Sequence, residues 1–93
     1  MKKYKVAIEG DNFAIKLDDK VDKYGFFTTR FVEAKSPENA ETLAITLIRD
    51  ELKSAVLNDH SDPPVMFTDE IHEVDDFGDN ISPGSGFTWF EVE

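Results

Sequence analysis

The stretch Gly25-Phe26-Phe27-Thr28-Thr29-Arg30-Phe31-Val32-Glu33-Ala34-Lys35-Ser36-Pro37-Glu38-Asn39-Ala40 contains the change of period on which the fold turns. From Phe26 to about Ala34, β-branched and aromatic residues dominate, the content of a pleated and buried strand, and apolar groups fall on both of its faces. A central strand is expected here. At Ser36 the pattern switches. Ser can cap a helix, Pro fits the first helical position where no N–H is required, and Glu suits the positive end of the helix dipole. Ala40, Leu43, Ala44, Leu47, Ile48, Leu52, Ala55 and Val56 then recur at three- and four-residue spacing. They form one apolar stripe over about five turns, with Glu41, Arg49, Asp50 and Lys53 off it, so that face must pack on a sheet. Asn58 is the expected left-handed stop, and Asn58-Asp59-His60-Ser61-Asp62-Pro63-Pro64 consists of turn formers that cannot continue a helix.

Upstream, Tyr4, Val6 and Ile8 alternate with Lys3, Lys5 and Glu9, and Phe13, Ile15 and Leu17 resume the alternation after Gly10-Asp11-Asn12. This predicts a β-hairpin with its turn at Gly10-Asp11-Asn12. The charged run Asp18-Asp19-Lys20-Val21-Asp22-Lys23 reads as an exposed connection. Downstream, Val65, Phe67 and Ile71 predict a strand from Val65 to about Val74. Asp69 falls in phase with its apolar set and Val74 out of phase, which places a bulge near Asp69. Asp75 to Gly86 reads as a surface loop, and Phe87-Thr88-Trp89-Phe90-Glu91-Val92 as a last strand. The expected order is β-β-β-α-β-β. It describes an α+β two-layer sandwich, a four- to five-stranded, mainly antiparallel sheet with one long helix on one face, as a single domain over residues 1–93.

Composition narrows the function classes. The chain carries 10 Lys+Arg against 20 Asp+Glu, and all 10 basic residues lie in residues 1–53 together with 10 of the acidic ones. Residues 54–93 therefore carry the whole net charge of −10, so DNA, RNA and anionic membrane should repel the chain. That acidic half serves solubility or faces a basic protein partner. The longest apolar runs are short, as in Ala55-Val56-Leu57, and no stretch approaches the ~20 residues of a membrane span. With no Cys and no signal-peptide pattern at the start, a cytoplasmic location is expected.

Candidate chemistry is sparse. His60, Asp62, Glu70 and His72, with Asp69 and Glu73 nearby, are the residues whose types could hold Zn or Mn. The run Asp69-Glu70-Ile71-His72-Glu73 lacks the two-His helical spacing of a zinc hydrolase. On a regular strand Glu70 and His72 share one face while Asp69 and Glu73 point to the other. Solvated strand and loop residues are the preferred reading, with no metal and no cofactor. His60-Ser61-Asp62 are neighbours in sequence without being a nucleophilic triad. Pro83-Gly84-Ser85-Gly86 lacks the Lys and the following helix of a phosphate loop and reads as a turn. Asp18-Asp19 and Asp75-Asp76 read as exposed turn charge. No enzymatic activity is expected.

One helix covers one sheet face, yet Phe27 and Phe31 oppose Phe26 and Val32, while Phe87 and Trp89 oppose Phe90 and Val92. A second apolar surface is therefore expected, and such patches commonly mark interfaces. Phe27, Phe31, Phe87 and Trp89 are its candidate residues. A homodimer is the simplest cover, since symmetric dimers are the commonest soluble assemblies. A different protein partner and the chain's own loops are the alternatives.

The segment 25–40, followed by Asp62-Pro63-Pro64 and Gly86-Phe87-Thr88-Trp89-Phe90, resembles a family of small uncharacterised bacterial proteins, a domain of unknown function. That resemblance implies no activity and no site residues. The strand order, with a Ser-Pro-Glu helix start after the third strand, is also similar over residues 3–75 to the partial ribonuclease-H-like domain of HicB-type antitoxins. The similarity implies an inhibitor that neutralises a basic toxin or nuclease. The chain departs from such antitoxins in lacking an appended DNA-binding segment, which argues against autoregulation. A metal-binding protein using His60 and His72 is the remaining alternative. The leading expectation is a non-enzymatic protein acting through protein–protein association.

Overall fold

The computed structural model describes residues 1–91. Two long strands, β1 (Lys2–Leu17) and β2 (Lys20–Ala34), are followed by helix α1 (Pro37–Leu52), then β3 (Val65–Val74) and the short β4 (Thr88–Glu91). They form a four-stranded sheet in the order β3-β1-β2-β4, in which every neighbouring pair is antiparallel. α1 packs across one face, giving the α+β two-layer arrangement. Among the described residues no helix is long and apolar enough to cross a membrane.

The core lies between sheet and helix. Tyr4, Val6 and Ile8 of β1 and Phe26 and Val32 of β2 meet Ala40, Ala44, Ile48 and Leu52 of α1. The small Ala40 and Ala44 let the helix approach the sheet closely, and Ile48 and Leu52 fill the far half of the contact. Ser36 is the N-cap, with extended backbone, and its Oγ accepts from Asn39 N at 3.2 Å; Pro37 occupies the first turn. The helix ends at Leu52, earlier than its apolar spacing predicts. Ala55 N and Val56 N both turn back to Leu52 O, leaving Ala55 exposed and Val56 half-buried.

The sheet departs from the predicted order at its start. Residues 4–8 and 13–17 are one strand, and Gly10-Asp11-Asn12 is a bulge within it. Gly10 pairs with Phe26 and Phe13 with Tyr24, so Asp11 and Asn12 together stand opposite Gly25. Asn12 takes φ of 62°. The extra residue reverses the alternation, so even-numbered side chains face the helix before the bulge and odd-numbered ones after it. The hairpin turn lies at Asp18 and Asp19, both with positive φ (53° and 65°), between the paired Leu17 and Lys20. Positive φ at both central residues is the primed geometry that matches strand twist, and Asp tolerates it. Residues 20–23 therefore belong to β2 and are not a connection, although they are largely exposed as expected.

A second bulge falls where β3 was expected to have one. Ala7 pairs with Glu70 and Ile8 with Thr68, which leaves Asp69 as the extra residue. The last strand is shorter than predicted, and Val92, expected at its end, lies outside the described residues. Before it, the segment 75–87 runs beside β2: Phe31 N donates to Pro83 O at 2.9 Å, Ser82 Oγ to Phe31 O at 2.7 Å, and Thr28 Oγ1 to Gly86 O at 2.7 Å.

The segment after α1 is tied to the β1 bulge by amide side chains. Asn58 Oδ1 accepts from Ala14 N at 2.8 Å and its Nδ2 donates to Asn12 O at 2.8 Å. Leu57 N donates to Ala14 O at 2.8 Å, so Leu57 and Asn58 complete hydrogen bonds of β1 as a partner strand would. Asn58 is not among the residues with positive φ; its side chain, and not a left-handed backbone, anchors the chain here.

Candidate functional site

The strand registers assign every side chain to a face. Even-numbered residues of β2, Phe26 to Ala34, lie under α1, and odd-numbered ones, Phe27 to Glu33, lie on the open face that no helix covers. On β1 the open face takes Lys3, Lys5, Ala7, Glu9 and Asp11; on β3 it takes Val65, Phe67, Glu70, His72 and Val74.

The four candidate aromatic residues divide between the two sides. Phe27 and Phe31 lie on the open face. Trp89 pairs with Phe26, and both Trp89 and Phe87 pack edge-on against the buried Phe26 ring, at 5.3 and 5.0 Å between centroids. Phe87 and Trp89 thus extend the core. The residue that joins Phe27 on the open face is Phe90, with ring centroids 5.1 Å apart. A one-residue offset reverses the faces of a strand, and the β2–β4 register sets this one.

The open face is apolar at one end. Phe27, Phe67, Phe90 and Val65 are 48%, 51%, 36% and 42% exposed. At the opposite end Phe77 packs on Phe31 at 6.0 Å, with Lys3 Nζ 6.0 Å from the Phe77 ring, so the chain's own loop covers part of that end. Between the two ends lies a depression of about 420 Å³, lined by Ala7, Thr29, Asp69 and Thr88 among others. It exists because the paired residues Ala7 and Thr29 are small. The bulge turns Asp69 into this depression, against the regular-strand expectation that it opposes Glu70 and His72.

The metal candidates are dispersed. Glu70 and His72 touch at 3.3 Å on exposed β3. His60 sits in the turn after α1, and Asp62 is occupied by a salt bridge to Lys23 and a hydrogen bond from Asn12 Nδ2 at 2.8 Å. These partners, Lys23 first, hold the Asp62 carboxyl below its ordinary pKa. Among the described residues no group of three or more His, Asp or Glu is placed to hold a metal ion.

The sequence reading did not single out Arg30, which is completely buried under α1. Its Nη2 pairs with Glu51 of α1, its Nη1 donates to Thr28 Oγ1 and to Thr29 O, and its guanidinium carbon stands 5.2 Å from the Phe87 ring. Nε has no partner. Arg30 lies in phase with Phe26 and Val32 in the helix-facing set of β2, and that misplaced charge is the signal that could have revealed it.

Comparison of the chain with family models, with curated proteins and with solved structures finds no match to any of them.

Proposed function

We propose that the protein is a non-enzymatic association module whose open sheet face binds a second copy of the chain. The observation that carries this reading is the group of Phe27, Phe67, Phe90 and Val65, exposed on the one sheet face that α1 leaves uncovered. Burying such a patch releases apolar surface from water, at about 25 cal/mol per Å². The acidic residues of the C-terminal half keep the remaining surface solvated.

The test is molar mass by light-scattering chromatography at moderate salt, on the wild type and on the double variant Phe27→Ser/Phe67→Ser. The chain mass is 10.5 kDa. A wild-type mass of twice that value, falling to the chain mass in the variant, supports the reading. A wild type that elutes at the chain mass over the micromolar range overturns it.

A further inference from the structure

The open-face column of β1 reads Lys3, Lys5, Ala7, Glu9, Asp11: two positive charges, a small neutral residue, two negative charges. The pattern changes sign about Ala7. Resting on the self-association reading above, we infer that two copies pack open face to open face with their β1 strands antiparallel. The twofold axis lies in the interface and crosses β1 at right angles at Ala7.

Two symmetric arrangements of stacked sheets put β1 over β1, and the charges separate them. With the axis parallel to the strand, each level faces itself, so Lys5 meets the partner's Lys5 and Glu9 the partner's Glu9. With the axis perpendicular to the strand at Ala7, Lys5 meets the partner's Glu9 and Lys3 the partner's Asp11. Each contact occurs twice. Like charges directly opposed across an interface are strongly unfavourable, so the column excludes the first arrangement and favours the second.

The flanking strands agree with that choice. Phe27 is level with Glu9, and Phe31 with Lys5, so the axis lays Phe27 against the partner's Phe31 and the Phe77 ring packed on it. On the other side, Val65 is level with Asp11 and Val74 with Lys3, so Val65 opposes the partner's Val74, while Phe67, level with Glu9, opposes the partner's His72, level with Lys5. At the centre Ala7 and Thr29 face their own copies, and the small residues that create the depression there let the sheets approach toward the ~10 Å spacing of stacked sheets. Two like-charged contacts remain, Glu70 with its own copy and Asp69, which lines the central depression, with its own copy. Both residues are exposed on the edge strand β3, and His72 lies 3.3 Å from Glu70.

Charge exchange tests the register. Lys5→Glu and Glu9→Lys each turn the pair of opposite contacts into like-charged ones, and each variant alone loses dimer affinity by about tenfold or more. An equimolar mixture of the two variants regains the dimer as a heterodimer, because Glu at position 5 of one copy then meets Lys at position 9 of the other. The double variant Lys5→Glu/Glu9→Lys regains the homodimer. Both positions are on the sheet surface, and recovery in the mixture shows that each variant folds. A wild-type dimer that neither single variant weakens, or single variants that do not complement each other, overturns this register while leaving self-association standing. A monomeric wild type overturns both.

Discussion

The ring of Phe26 occupies the space in which a side chain at Gly10 would stand: a Cβ built on Gly10 would lie 2.1 Å from Phe26 Cε2. The two residues are paired across β1 and β2, and Phe26 is fully buried. The neighbouring rings of Phe13, at 5.0 Å, and Trp89, at 5.3 Å, leave Phe26 little room to move. Gly10→Ala therefore overpacks the core and destabilises the fold by about 1 to 3 kcal/mol. Urea unfolding reads this as a lower midpoint with an unchanged slope. An unchanged midpoint would show that the Phe26 ring relaxes freely.

Removing Glu51 leaves the buried Arg30 without the one carboxylate that pairs with it among the described residues. Thr28 Oγ1, Thr29 O and Gly86 O, the last at 3.4 Å, still accept from the guanidinium, so the charge is under-compensated and not stranded. Glu51→Gln should cost about 1 to 3 kcal/mol, the range for leaving a buried polar group short of a partner. Glu38→Gln, at the exposed start of the same helix, should stay within about 0.5 kcal/mol. Equal effects in thermal unfolding of the two variants would mean that the Arg30–Glu51 pair contributes no more than surface charge.

Trp89 and Phe27 lie on opposite sides of the sheet, and their truncations should separate stability from association. Trp89→Ala removes a half-buried ring packed on Phe26 and Tyr24 and should lower stability by about 2 to 3 kcal/mol, below the figure for a fully buried aromatic. Phe27→Ser should change the stability of the monomer little while reducing the molar mass in solution. The reverse outcome, a stable Trp89→Ala and an unfolded Phe27→Ser, would exchange the two faces.

Asp62 links stability to pH. Its carboxyl is held low, chiefly by Lys23, so the folded-state pKa lies below the ordinary value of 3.8. The unfolded chain then binds protons more readily than the folded one. The stabilisation is fully present above about pH 4 and is lost as pH falls through the depressed folded value. Asp62→Asn should therefore be less stable than wild type near neutrality, with the difference closing as pH falls below about 4. Paired denaturation curves at pH 7 and pH 3 check this, and a gap that stays constant between them would exclude Asp62 as its source.

Local signals carried most of the fold. The Ser36-Pro37-Glu38 helix start, the apolar stripe through Leu52 and the bulge at Asp69 could be read because each depends on residues close in sequence. Gly10-Asp11-Asn12 misled because the residues that make a turn also make a bulge. What decides between them is the partner strand, here Gly25 standing opposite both Asp11 and Asn12. Asp18-Asp19 carried no Gly to announce a primed turn. The open face was legible in part. Alternation within one strand places Phe27 and Phe31 on a second apolar surface, but Phe87 and Trp89 join the core because the β4 register is set by pairing between residues far apart in sequence, as in Phe26 with Trp89 and Phe27 with Thr88. Arg30 stayed hidden because its partner Glu51 lies on another element.

The segment that runs beside β2 has a consequence for how the sheet can grow. β4 pairs only with Tyr24–Phe27, and past that point the outward hydrogen-bonding groups of Phe31 are already taken by Pro83 O and Ser82 Oγ. A foreign strand seeking to extend the sheet there would have to strip this segment away first. At the opposite edge, the extra residue Asp69 breaks the even ladder that an incoming strand would need. The loop beside β2 and the bulge in β3 thus leave the four-residue β4 as the regular open margin, and so short an edge offers little to edge-to-edge polymerisation.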